Sequence, residues 1–318
     1  MGTMLAIGHR RRSKNFDTGA TPDLLAGILL SQQFGTDWYV SSTTGSSSDD
    51  GRTPDSAVAT VQQAVDKAVS GDRIFVAPSH TETVTATSIA LNKAGITIIC
   101  LGQGTRKPTF TFSTAAATIT VSASDIAWYG GYFLGNFLDV ASAFTIGAAD
   151  YFRLEGGEFE DSTASLNFLS IVTTGATNND ADGLTVIGNT WYGLNTSPLA
   201  FVSILANIAH LHVEGNFVDL ATTADVGSFI TFAAKISKGT RILNNILIVV
   251  GSTGAAVGIF LTGSGTTHTG VVGGNWVTSL DTTAELIATA GTGLAFFNNY
   301  YTGVADASGK LWPVVDAA

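Results

Sequence analysis

One short stretch of the sequence concentrates acidic side chains of the kind that general acid–base catalysis uses. It contains Glu155, Glu158, Glu160 and Asp161. Glycoside hydrolysis needs two carboxyl groups about 5–9 Å apart. Glu158 and Glu160 alternate along a predicted strand, so both should face solvent. Only Glu155 and Glu214 are placed where a groove could recruit them, across an intervening coil, and a solvated acidic edge is the interpretation we favour.

A second set of oxygen ligands lies between Asn178 and Gly183, where Asp180 and Asp182 alternate with other residues. This alternation is superficially similar to a calcium loop, but the distant bidentate glutamate of such a loop is missing. The segment is therefore predicted to be a long turn, with a weak calcium site as the alternative.

Histidine and cysteine residues offer few further possibilities. His210, His212 and Glu214 lie on one predicted strand and could bind a metal, although three exposed side chains are the favoured interpretation. Cys100 lies in an apolar run and is predicted to be a core residue. No Ser-His-Asp order, phosphate loop or cysteine–histidine pattern is present. We therefore predict no catalytic residues, no metal and no cofactor.

The elements that position these residues belong to a repeat. Its plainest copies are Leu184–Tyr192 and Leu211–Val218, in which alternating apolar residues run up to a Gly-Asn turn. Successive turn positions are separated by 26, 32, 27, 29, 30 and 24 residues. Those positions are Gly131, Gly157, Asn189, Asn216, Asn245, Asn275 and Asn299. A period of about 28 residues without a helical pattern indicates a β-solenoid.

A second apolar segment falls between successive copies, for example Phe201–Leu205 and Phe229–Phe232. Each coil therefore carries at least two strands, and parallel crossovers are right-handed by strong preference. The predicted fold is all-β, a right-handed parallel β-helix. The repeated asparagines should stack from coil to coil and satisfy turn backbone, because Asn tolerates the left-handed region and bonds its neighbours.

The two ends of the chain depart from the repeat. Residues 56–69 have an apolar face and a Thr60–Gln63 capping box, which predicts a helix that caps the open end of the solenoid. The segment 303–318 breaks the period and is predicted to cap the other end. The predicted organisation is thus an N-terminal arm over 1–36, a β-helix over 37–302 and a C-terminal cap.

The beginning of the predicted β-helix carries a specific resemblance. Asp37–Val40, Asp50–Val65 and Ser70–Glu82 together resemble the opening module of pectate-lyase-like right-handed β-helix proteins. Versions of this opening are frequent in bacteriophage virion proteins, including tailspikes and capsid decoration proteins. The resemblance implies a virion protein and a homotrimer. It is specific for fold and not for activity, since a fold hosts many functions.

Composition and charge narrow the function classes. The 318 residues are 45% hydrophobic and only 13% charged, which suits a strand-and-turn solenoid with a dry interior. Residues 1–36 hold four basic and two acidic side chains, whereas the rest holds 11 basic and 23 acidic ones. An acidic body does not favour nucleic acid. No apolar run reaches the ~18 residues that a membrane span needs, and no secretory signal is predicted.

The arm has the composition of an anchor. A basic cluster precedes a weakly amphipathic apolar segment, and neither can fold by itself. These anchoring residues are Arg10, Arg11, Arg12, Lys14, Leu24, Leu25, Ile28, Leu29 and Leu30.

The sequence therefore predicts a structural virion protein of a tailed bacteriophage, assembled in the host cytoplasm. It would decorate or cement the capsid by contacting the major capsid protein or another virion protein. The alternative is a tailspike that binds or depolymerises host surface polysaccharide.

Overall fold

The computed structural model describes residues 35–194, 198–220, 228–232, 236–249, 261–262, 267–279, 292–303 and 306–312. The predicted anchoring residues, from Arg10 to Leu30, lie outside these ranges. The described residues form a parallel β-solenoid, which confirms the fold class. Its strands stack into three long sheets because each coil contributes one strand to each sheet in turn.

Within the described residues, sheet 1 has ten strands. In stacking order they are β1 Asp37–Val40, β2 Arg73–Val76, β5 Thr97–Cys100, β8 Ala127–Tyr129, β11 Arg153–Glu155, β14 Thr185–Ile187, β18 His212–Glu214, β22 Thr240–Leu243, β25 Thr267–Gly273 and β27 Thr292–Phe297.

Sheet 2 also has ten strands in the part of the chain that the structure describes. They are β3 Thr81–Val84, β6 Thr109–Phe112, β9 Tyr132–Gly135, β12 Glu158–Asp161, β15 Thr190–Gly193, β19 Phe217–Leu220, β23 Ile246–Val249, β26 Trp276–Ser279, β28 Asn299–Gly303 and β29 Asp306–Trp312. β29 pairs antiparallel with β28 and so covers the last parallel strand of this sheet.

Sheet 3 has seven strands within the described residues. A further pair of short strands lies, along the chain, between strands of sheet 3 and strands of sheet 1. The seven are β4 Ile89–Leu91, β7 Ile119–Val121, β10 Phe144–Ile146, β13 Ser170–Thr174, β16 Ala200–Ile204, β20 Ser228–Phe232 and β24 Leu261–Thr262. The short pair is β17 Ile208–Ala209 with β21 Ser237–Lys238.

The interior is largely apolar and rich in aromatic rings. Phe110, Phe133 and Phe159 come from equivalent positions of β6, β9 and β12, and their rings stack with centroids 5.4 and 4.6 Å apart. Trp191 holds the same position in the next coil and is also buried. Equivalent rings of successive coils lie about 4.8 Å apart. Because inward and outward residues alternate along each strand and this pattern repeats in every coil, the inward side chains form one continuous core.

A ladder of buried asparagines runs along the corner between sheets 1 and 2. The Nδ2 group of each Asn donates to the Oδ1 atom of the next Asn, at 2.8–3.0 Å, from Asn189 to Asn299. The same Oδ1 atoms accept the backbone N–H of the preceding Asn. The stack predicted from the sequence is therefore present.

The reason for the ladder differs from the prediction in one respect. The ladder asparagines do not occupy the left-handed region; the residue before each of them does. Those residues are Gly188, Gly215, Asn244, Gly274 and Asn298, with φ between 50° and 67°. Glycine and asparagine are the residues that adopt this conformation most readily. The turn thus frees the ladder side chain to point inward.

The N-terminal end is closed by a helix that is shorter than predicted. Helix α1 spans Val61–Lys67 and is preceded by a 3₁₀ turn, Pro54–Ser56, instead of filling 56–69. The predicted capping box is present, because Thr60 accepts from the Gln63 backbone while the Gln63 side chain accepts from that of Thr60. A second 3₁₀ turn spans Gly104–Arg106.

Two strand edges at this end are satisfied, one by a side chain and one by the backbone of a loop. Gln62 of α1 accepts the backbone N–H of Ala90 in β4 at 2.7 Å. The loop after β1 bonds the edge of that strand, with Tyr39 N–H donating to Gly51 O at 2.8 Å. An uncovered edge invites pairing with another chain, so α1 and this loop work as a cap.

Candidate functional site

The carboxylates first singled out lie on two different sheets. Glu155 and Glu214 face outward from sheet 1, separated by Ile187 of the intervening coil. Two layers of about 4.8 Å put their backbones roughly 10 Å apart. Glu158 and Glu160 face outward from sheet 2 instead. The four glutamates therefore do not converge on one point.

Each of the two sheet-1 glutamates already has a partner on its own strand. Arg153 lies 2.6 Å from Glu155, and His212 lies 2.7 Å from Glu214. The hydrogen bond from His212 lowers the pKa of Glu214, and a further bond from Asn244 acts in the same direction. A carboxyl group held ionised is a poor proton donor, which argues against a general acid at this place.

The predicted calcium segment is built as a turn that joins coils. Asp182 accepts the backbone N–H of Ala209 through Oδ1 at 2.7 Å, and its own backbone N–H donates to Asp150 Oδ1 at 3.0 Å. The backbone carbonyl of Asp180 accepts the N–H of Ala149. In the described part of the chain, no group of three or more His, Cys, Asp or Glu side chains is arranged to hold a metal.

The histidines and the cysteine have structural surroundings. His210 lies in the turn before β18 with a positive φ of 58°, so it does not share a strand face with His212 as the sequence suggested. His80 is buried 3.0 Å from Glu82, whose carboxylate also accepts the first N–H of α1. Desolvation raises the pKa of the Cys100 thiol far above its usual range, which leaves little of the nucleophilic thiolate at neutral pH.

The outer face of sheet 2 gathers several functional groups that were not foreseen. Lys107 forms an ion pair with Glu158, and Tyr132 donates to Glu160 at 2.6 Å. Desolvation, followed by the Glu160 bond, raises the pKa of Tyr132. A surface depression of about 360 Å³ lies against this group. It is lined by Gly104, Thr105, Lys107, Thr109, Tyr132 and Glu158.

Further along, the same face is aromatic and exposed. Tyr192, Trp276 and Tyr300 are 43%, 51% and 47% exposed. The repeat itself, in which Trp276 directly follows Asn275, does not mark this tryptophan as exposed. The missing signal is its distance from the ladder asparagine: Trp276 is the first residue after Asn275 and points outward, whereas Trp191 is the second after Asn189 and points inward. Odd and even positions of a strand face opposite sides.

Comparison with known proteins leaves the family open. No protein-family model and no curated protein matches the sequence. Among solved structures, the chain is similar to a rhamnogalacturonan lyase, with 13% identity over 83% of this chain and 87% of that one and a TM-score of 0.38. It is also similar to ORF18 of Geobacillus virus E2, with 16% identity over 87% of this chain and 62% of that one and a TM-score of 0.39.

A third similar structure is the GH136 lacto-N-biosidase from Eubacterium ramulus. The identity is 9% over 84% of this chain and 67% of that one, with a TM-score of 0.27. At these TM-scores the three similarities carry no argument about activity or partners.

Proposed function

We propose that this chain is a structural virion protein of a tailed bacteriophage, in which the β-helix is a rigid body that decorates or cements the capsid. The observation that carries the proposal is how the body uses its acidic side chains. Asp182 joins one coil to the next, Glu82 caps α1, and Glu155 is paired with Arg153. Asp182 and Glu82 therefore join separate segments of the solenoid, Glu155 is paired within its own strand, and the three carboxylates do not converge on a substrate groove.

The opening module supports the same proposal. Its resemblance to phage β-helix proteins extends over residues 36–84, and the structure builds that stretch as one capped end. Bidentate hydrogen bonds of 2.8 and 3.0 Å from Arg73 to Asp37 join β1 to β2, while α1 covers β4. A closed end gives the body a defined length, as a decorating element requires.

The anchor in this proposal is the arm over residues 1–36, and its target is the major capsid protein or another virion protein. Four basic against two acidic residues give the arm a charge opposite to that of the acidic body. The protein acts as a homotrimer in this proposal, because closed three-fold symmetry would present three arms together. Tethered arms bind at high effective concentration, so modest single contacts suffice.

The test is to locate the protein on intact particles. Antibodies raised against residues 37–302 should label the shell of purified phage particles under the electron microscope. Particles without this gene, reacted with the same antibodies, are the control. Labelling confined to the tail would show that the protein is a tail component and favour the tailspike role over decoration. Unlabelled particles would overturn the virion assignment altogether.

A further inference from the structure

The C-terminal half of the sheet 2 face forms a narrow aromatic strip. Its first row is in register across five strands, and its second row across four. The first row is Thr190, Phe217, Ile246, Trp276 and Tyr300; the second is Tyr192, Asp219, Ile248 and Thr278. We call these nine residues the aromatic strip. Apart from two threonines and one carboxylate, the strip is apolar or aromatic, which is unusual for an outer face.

Trp276 lies along its strand in this strip. Its indole Nε1 donates to Thr278 Oγ1, two residues further along β26, at 3.1 Å. The polar edge of the ring is therefore satisfied within the protein. Since the side chain is 51% exposed, an open ring face is left for a ligand.

The backbone beneath the strip is held by the asparagine ladder. The N–H groups of Trp276 and Tyr300 donate to the carbonyls of Asn245 and Asn275, both at 2.8 Å. The ladder side chains bind the same corner, and Asn275 is buried. The rings are thus carried on a rigid support, so little backbone entropy is lost when a ligand binds.

The dimensions of the strip favour a linear ligand. Five strands about 4.8 Å apart give the strip a length of about 19 Å, and two outward positions along each strand give it a width of about 10 Å. Its area is therefore on the order of 200 Å². A stable protein interface needs about 800 Å² per partner, so a second copy of this chain would not be held by the strip alone. An extended chain of rings, one ring for each one or two coils, matches both the length and the spacing.

We propose that the aromatic strip binds an extended, uncharged polysaccharide. The C–H faces of sugar rings carry partial positive charge and suit the negative faces of Trp276, Tyr192 and Tyr300. The hydroxyl groups find partners in Thr190 and in the Asp219 carboxylate, which lies between Tyr192 and Ile248. This inference does not depend on the virion assignment.

The charges near the strip select against acidic polymers. Asp219 lies within it, and Glu160 pairs in register with Tyr192 at its edge. Glu158 is paired with Lys107, so the nearby groups carry a net negative charge. A uronic-acid polymer would be repelled by them, whereas a neutral glycan would not.

The test is affinity electrophoresis of the full chain through gels that contain a single polymer. Neutral probes are dextran, yeast mannan, xyloglucan and galactomannan, and acidic probes are polygalacturonate and alginate. The wild-type protein should be retarded by at least one neutral polymer and by neither acidic one. Trp276→Ala should weaken that binding at least tenfold, and Trp276→Phe should restore part of it.

The matched control is Tyr151→Ala, which removes a ring that is 59% exposed on a turn outside the strip. Its retardation should equal that of the wild type. Circular dichroism melting curves of all variants show whether a loss is due to misfolding. Free migration through all four neutral polymers, or equal retardation of Trp276→Ala, would overturn the proposal. So would stronger binding to polygalacturonate, or a change in oligomeric state caused by Trp276→Ala, which would assign the strip to another copy.

Discussion

Asn216 and Asn245 bind each other twice across neighbouring coils. The Oδ1 atom of Asn245 accepts the Nδ2 group of Asn216 at 2.9 Å and its backbone N–H at 3.0 Å. Nδ2 of Asn216 also donates to the carbonyl of Val186 in the coil before, at 2.9 Å. One side chain therefore satisfies buried polar groups of three successive coils.

The first prediction concerns this ladder. Asn216→Ala should lower the free energy of unfolding by about 3–5 kcal/mol, since each buried group left without a partner costs about 1–3 kcal/mol. The backbone N–H of Asn189 and the carbonyl of Val186 are among the groups affected. Guanidinium unfolding followed by circular dichroism measures the change.

The control for the ladder is Asn136→Ala, because Asn136 is an exposed asparagine in a loop. It should change stability by less than about 0.5 kcal/mol, as surface substitutions usually do. Equal losses in the two variants would show that the ladder is not a principal source of stability.

The second prediction concerns pH. His268 is buried, and its Nδ1 atom accepts from the hydroxyl of Ser237 at 2.9 Å. Desolvation lowers the pKa of His268, so the ring is neutral in the folded protein. In the unfolded chain it takes up a proton near pH 6.5. The stability that the neutral His268 ring contributes is therefore fully present above about pH 6.5 and is lost as the pH falls through the lowered pKa of the folded state.

His268→Gln should flatten this acid loss, measured as the slope of unfolding free energy between about pH 7 and pH 5. His210→Gln, at an exposed turn position, is the control and should keep the wild-type slope. A slope unchanged by His268→Gln would assign the acid sensitivity to other groups.

The fold was predictable because its signals are periodic. The alternation of apolar residues within a coil and the recurrence of Gly-Asn turns are both visible in a single sequence. Both can be recognised although the coils differ in length. The predicted length of α1 was too great because Val58 and Val61, three positions apart, have the spacing of one helix face, although Val58 in fact forms a bridge to β1. In the structure Val58 pairs with Val40, and the helix begins only at Val61.

The site was harder to predict because register decides which residues become neighbours. Tyr132 and Glu160 are 28 positions apart, and coils of 24 to 32 residues leave their alignment undetermined. The aromatic strip was hidden for the same reason. Counting from the ladder asparagine would have revealed it, since Phe217, Ile246, Trp276 and Tyr300 each follow one directly.

The third prediction is catalytic silence. Pectins, alginates and host capsular polysaccharides, incubated with the protein with and without calcium, should release neither reducing ends nor unsaturated products. The physical reason is that Glu155 and Glu214 are roughly 10 Å apart and each is already paired, with Arg153 and with His212. An active pectate lyase run in parallel shows that the assay works. Activity abolished by Glu155→Gln or Glu214→Gln would overturn the structural role and favour the tailspike alternative.

The fourth prediction separates the arm from the body. A chain lacking residues 1–34 should remain soluble, rich in strand and trimeric by analytical ultracentrifugation, because the cap formed by α1 and the β1 loop lies wholly within residues 37–91. It should no longer sediment with phage particles. An unfolded truncated chain would refute the proposed division.

The arm's two parts should contribute differently to attachment. Exposed ion pairs are each worth under about 1 kcal/mol, so most of the affinity should come from the apolar residues Leu24, Leu25, Ile28, Leu29 and Leu30. Replacing Arg10, Arg11, Arg12 and Lys14 by Ser should therefore weaken cosedimentation only at low salt, where unscreened charges matter. Replacing the five apolar residues by Ser should abolish it at every salt concentration. Wild-type cosedimentation of the chain without residues 1–34 would place the anchor in the β-helix itself.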